Sequence, residues 1–230
     1  MSKKLLFILV GAFCLTAGSA TAQFSRPISI GAGAGATFSM VDLKNSTSKV
    51  AFYGEADYLV NPFISIGIHG EKGGLKGDAE KSTFENSYFA GNVNGKIRLG
   101  QFMNQSGSDN GQVKQGNIFS RLVSNVYVGA GAGFIKNNIE YDLATKYVNG
   151  INRLGGKISS EKNQMNFIVP LNIGVDIPFV NSLYGPKLAI NINYQHTITA
   201  TDNLDGVINN KNDQYGLLSL GVKYALFDRK

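Results

Sequence analysis

From Ile28 onward the chain alternates apolar and polar residues with period two, not the 3.6 of a helix. Residues 28–39 set Ile28, Ile30, Ala32, Ala34, Ala36 and Phe38 on one face and Ser, Gly and Thr on the other. The same alternation runs through 50–60, 63–72, 86–99, 125–136, 164–177, 187–199 and 215–227. Eight strands of this length match the ~9–11 residues that cross a bilayer when tilted. Short links fall at Asn61-Pro62 and between Pro178 and Pro186, and longer polar links at 73–85, 140–163 and 200–213. The pattern predicts an all-β, eight-stranded, antiparallel up-and-down transmembrane barrel with short periplasmic turns and longer outer loops. Two segments break it. The link at 100–124 is long where a short turn is expected, and the spacing of Ile118, Phe119, Leu122 and Val123 predicts a short interfacial helix there. Pro170 falls inside the sixth strand, where it cannot donate a ladder hydrogen bond, so a bulge is expected.

The first 22 residues follow a different rule. Lys3 and Lys4 precede an apolar run, Leu5 to Leu15, and small residues end in Ala20-Thr21-Ala22. This predicts a cleaved signal peptide over 1–22 and a single barrel domain over 23–230. Cleavage removes two lysines and no acid, which takes the formal charge from +6 to +4. That is too mild to argue for nucleic acid. One Cys, inside the leader, and two His exclude a disulfide scaffold and a structural zinc site.

Charge placement decides which face is inside. Glu55, Asp57, Glu71 and Asp176, with His69, Lys96, Arg98 and Lys223, all fall on the polar face. A Lys or Arg facing lipid at midplane costs ~2–4 kcal/mol. Turned inward, these acids and bases form an interior ion-pair network that ties the second, third and fourth strands together. The alternative is a soluble barrel with its apolar face inside. The 28 Gly, nearly twice the usual ~7% share, concentrate on the polar face, where a narrow lumen needs room for larger side chains such as Tyr127, Lys96 and Arg98. Aromatics at strand ends (Phe24, Phe38, Phe63, Phe102, Tyr141, Phe179, Tyr184, Tyr215, Tyr224 and Phe227) suit interfacial girdles.

No motif of catalysis stands out. The glycines of 31–35 and 129–133 continue within strands, whereas a phosphate loop needs a strand-to-helix turn. His196 is followed by Thr197 and Thr199, with no adjacent serine nucleophile. No catalytic, cofactor-binding or metal-binding residue is assigned, and no cofactor is expected.

The leader, the eight alternating strands and the closing segment GLLSLGVKYALF resemble the small OmpA/OmpX-like, porin-like outer-membrane barrels of bacteria. The resemblance implies location in the bacterial outer membrane. It also implies a last strand read by the barrel-assembly machinery, here Leu218, Leu220, Val222, Tyr224, Leu226 and Phe227. Asp228-Arg229-Lys230 after Phe227 departs from that signal. The expected role is non-enzymatic, either structural in the envelope or binding an unknown surface ligand through outer loops. The expected partners include outer-membrane lipid such as lipopolysaccharide. A small channel and a lipid-modifying barrel enzyme are the alternatives.

Overall fold

A computed structural model describes residues 27–39, 45–79, 82–102, 122–143, 157–158, 163–182, 185–200, 207–208 and 213–226. The expected leader, residues 1–22, lies outside them. Eight strands form the wall: β1 (Ile28–Ser39), β2 (Lys49–Leu59), β3 (Ile64–Ala79), β4 (Ser82–Arg98), β5 (Val126–Leu143), β6 (Asn163–Ser182), β7 (Gly185–Thr199) and β8 (Gln214–Leu226). Each pairs antiparallel with its sequence neighbours, and β8 pairs with β1, so the sheet closes with both ends of the wall on one side. Short segments Asn45–Thr47 and Lys157–Ile158 pair with the top of β3 and with Val207–Ile208.

Register fixes the geometry. Paired residues followed around the wall run Ile28, Tyr58, Ile66, Gly95, Ala130, Leu171, His196, Gly216 and return to β1 at Phe38. The return lies ten residues further along β1. With ~3.3 Å per residue and ~4.8 Å between strands, that stagger tilts the strands by about 40°. Eight strands so inclined enclose an interior that side chains fill. The ten steps from Ile28 to Phe38 then rise about 25 Å, the height of a membrane-spanning apolar band.

The outside of the wall is apolar and the inside polar. Phe52 and Ile68 are 65% and 62% exposed, while Glu71 and Lys223, on the opposite face, are 1% and 6% exposed. A soluble barrel would reverse this.

The strands are longer than the alternation of large residues suggests. Residues 73–85, expected as an outer loop, are almost wholly strand. β3 and β4 pair from Ile64↔Ile97 to Ala79↔Ser82 and leave two residues between them. Gly73, Gly74, Gly77 and Asp78 are poor strand formers, but the pleat continues through them and buries Leu75. β5 likewise runs to Leu143. β3, β4 and β5 therefore stand taller than β1, β2, β7 and β8 at the end away from the chain termini. The bulge expected at Pro170 is absent. Pro170 pairs in register with Thr197, and the irregularity lies instead between Pro178 and Asn181. On the other side the β5–β6 ladder skips the residues between Ala130↔Leu171 and Gly133↔Ile168 and resumes in the same register. The proline thus interrupts pairing without adding a residue.

At the 100–124 link, Leu99–Phe102 forms a 3-10 turn and residues 122–124 are helical. Ile118 and Phe119 lie outside the described residues. The two ends of the link meet where Gly100 packs on Ser124 and Phe63, and a Cβ there would stand 2.9 Å from the Ser124 carbonyl oxygen.

Candidate functional site

The inward side chains stack in layers from one end of the lumen to the other. Nearest the chain termini is a charged layer built by the four strands that run toward that end. β2 supplies Glu55 and Asp57, β4 supplies Lys96 and Arg98, β6 supplies Asp176, and β8 supplies Lys223. Lys96 Nζ donates to Glu55 Oε2 at 2.6 Å and to Asp57 Oδ2 at 2.9 Å. Lys223 Nζ lies 3.0 Å from Glu55 Oε1, 3.1 Å from Asp57 Oδ2 and 3.5 Å from Asp176 Oδ1. Arg98 Nη2 donates to Asp176 Oδ2 at 3.0 Å. Three carboxylates thus meet three permanent cations in one cross-lumen chain. The Tyr127 ring sits between the two lysines, 5.6 Å from Lys96 Nζ and 5.3 Å from Lys223 Nζ. Cation–π attraction adds to the pairing where water is scarce.

The third strand takes no part in that layer, contrary to the expected tie between strands two, three and four. Its acid, Glu71, is held by neutral groups: Tyr215 Oη donates to it at 2.6 Å and Gln195 Nε2 at 3.0 Å. His69 Nδ1 stands 3.9 Å away from Glu71, and its ring stacks on Tyr53 with centroids 5.4 Å apart. Between these two levels lies an amide layer. Asn191 Nδ2 donates to Asp176 Oδ1 and to Tyr127 Oη, each at 2.9 Å, and Asn193 Nδ2 donates to Asn172 Oδ1 at 3.2 Å.

Toward the far end an apolar cluster joins the inward polar residues, with Asn86 Nδ2 donating to Asn137 Oδ1 at 3.2 Å beyond it. Leu75, Tyr88, Ala90, Ile135, Ile168 and Tyr215 pack into one buried cluster. Tyr215, expected in an aromatic girdle, is therefore a plug residue. Phe38, Phe102, Phe179 and Tyr224 do face outward, as do Phe52, Tyr58, Phe89, Phe134 and Phe167.

Glycine makes the filling possible. A Cβ at Gly174 would sit 2.6 Å from Tyr127 Cζ, and one at Gly129 would sit 3.1 Å from Lys96 Cγ. At Gly67 it would collide with the Asp57 carboxylate.

Among the described residues, neither histidine is hydrogen-bonded to a serine, threonine or cysteine. His69 meets Asn92 and Tyr53, and His196 lies on the opposite face from inward Thr197 and Thr199. Among the described residues, no group of three His, Cys, Asp or Glu is placed to hold a metal ion. The carboxylates of the charged layer are taken by lysine and arginine. A recess lined by Gly54, Ala56, Ile68 and Gly70 opens on the outer wall, where the two glycines lack side chains.

The chain is similar to small outer-membrane barrels of the OmpA/OmpX-like kind. It matches Neisserial surface protein A at 14% identity and a TM-score of 0.48, over 87% of this chain and 97% of that one. It matches the attachment invasion locus protein Ail of Yersinia pestis at 13% and 0.43, over 86% and 97%. The outer-membrane enzyme PagL matches at 11% and 0.35, over 86% and 99%. No protein-family model and no curated protein matches the sequence. The closed register described above defines the fold by itself.

The outward residues of β8, Leu218, Leu220, Val222 and Tyr224, are exposed as one stripe, with Leu226 half-buried below them. Phe227 lies outside the described residues.

Proposed function

We propose that the chain is a non-enzymatic protein of the bacterial outer membrane that stabilises the envelope or binds a surface ligand at the end away from its termini. One observation carries this reading: among the described residues the inward side chains bury one another as ion pairs, amides and an apolar cluster. A filled lumen leaves no room for a diffusion pore, and the histidines are not set beside nucleophiles. What the molecule offers to other molecules is its surface. The outer wall would meet lipid, including lipopolysaccharide, and the raised β3–β5 wall would meet the exterior. The outward stripe of β8 would be read by the assembly machinery before closure with β1.

Two measurements test this. The mature chain, folded in detergent, will migrate faster on a gel unheated than after boiling, because the closed barrel resists unfolding. A mature chain that stays monomeric in water without detergent overturns the membrane reading. In planar bilayers the folded protein will show no steady pore-sized conductance. A stable open channel overturns the filled-lumen reading, and altered lipid A or phospholipid on expression restores the enzyme alternative.

A further inference from the structure

On β3 to β5, lysines interrupt the apolar outer wall near its upper end; Lys187, over the Tyr224 ring, lies at the opposite end. One register row runs Phe52, Lys72, Phe89, Lys136, Met165 across β2 to β6, and all five residues are exposed. Lys72 and Lys136 thus flank Phe89 from the two neighbouring strands, about 10 Å apart at the backbone. Because the strands tilt, this row climbs about 3 Å per strand, so Lys72 sits a little below and Lys136 a little above the outward phenylalanines Phe38, Phe89, Phe134 and Phe167. Lys76 follows two pleat repeats higher on β3.

The neighbouring acid does not neutralise this pair. Glu85, opposite Lys76 in the β3–β4 ladder, is taken by Lys49 at 2.8 Å. Lys49 reaches it past Gly74, which has no side chain to block the path. That ammonium holds the Glu85 carboxyl below its usual range. Among the described residues, neither Lys72 nor Lys136 makes an ion pair. On the described outward strand positions below this row, no Lys, Arg, Asp or Glu occurs. On these strands the charge of this pair therefore lies on one arc of the wall, within about 6 Å of height near the upper end of the apolar band, where lipid headgroups begin.

We propose that Lys72 and Lys136, with Phe89 between them, form a binding site for a phosphate-bearing lipid headgroup of the outer leaflet, the two ammonium groups gripping phosphate and the ring covering the glycerol or sugar beneath. This rests on the membrane reading above. It adds a ligand class and an address on the wall.

The test uses the full mature barrel, folded in detergent and exchanged into nanodiscs of phosphatidylcholine with a minor fraction of either phosphatidylglycerol or diphosphorylated lipid A. Folding is first checked by the gel shift, so a failure to form a barrel is seen separately from a failure to bind. Co-purifying lipid is then counted by native mass spectrometry. The wild type will retain the phosphate lipids over phosphatidylcholine. Lys72→Gln with Lys136→Gln will lose about 30-fold in that preference, and Lys187→Gln at the other end will lose none. Equal retention by wild type and double variant overturns the proposal, as does full displacement by millimolar inorganic phosphate, which would mark a site for the free anion.

Discussion

Gly221→Val will stop the barrel from closing. A Cβ at Gly221 would overlap the Tyr53 hydroxyl and stand 2.5 Å from the Ala32 carbonyl oxygen on the neighbouring strand. The tyrosine could swing only into the amide layer that already fills the lumen, and the backbone cannot move without breaking the β1–β8 ladder. Overpacking a filled interior costs ~1–3 kcal/mol, and a collision with backbone falls at or beyond the top of that range. Gly95→Val is the matched control. Gly95 faces outward with nothing within 4 Å of a Cβ, so valine there meets lipid and favours the strand. The fast-migrating folded band will vanish for Gly221→Val and persist for Gly95→Val. Equal behaviour of the two variants would show that the lumen is not filled as described.

Lys223→Met will destabilise the barrel by ~3–5 kcal/mol, the cost of leaving buried charge without its partner. Three carboxylates would then face Lys96 and Arg98 alone. Adding Asp57→Asn restores equal numbers of acids and bases, so the double variant will be more stable than the sum of the single losses predicts. The measurement is a double-mutant cycle on thermal unfolding in detergent, read by the gel shift. Strict additivity would mean that Lys223 and Asp57, 3.1 Å apart in the structure, do not sense each other.

Alternation made the wall legible, because each strand must turn one face to lipid and one to the lumen. Ile30, Phe52, Ile66, Val93, Val128 and Leu220 could face only outward. The far end of the lumen was less legible, for a physical reason. Polarity marks the inside only where the interior is wet or charged, and Leu75, Ile135, Ile168 and Leu217 face inward although apolar. Strict parity would have found them, since Ile135 continues the series Tyr127, Gly129, Gly131 and Gly133. Tyr215 shows the limit of position alone, because an aromatic at a strand end suits a girdle and a plug equally. Parity puts Glu55, Asp57, Lys96, Arg98, Asp176 and Lys223 on the polar face, but it does not say which of them meet. The ten-residue stagger decides which side chains share a level across the lumen. It sets Lys223 beside Asp57 and Asp176, and sends Glu71 to a tyrosine and a glutamine.

The charged layer also ties neutrality to the order of synthesis. Its acids arrive on β2 and β6 and two of its cations on β4, so a chain that has built seven strands carries three carboxylates against two bases. The last cation, Lys223, sits on the strand whose pairing with β1 seals the wall. Electrical balance and closure are therefore one event, and a chain truncated before β8 keeps both an open edge and an unmatched negative charge. The strand that closes the wall thus also balances the charged layer: without β8 the layer keeps one carboxylate more than its cations.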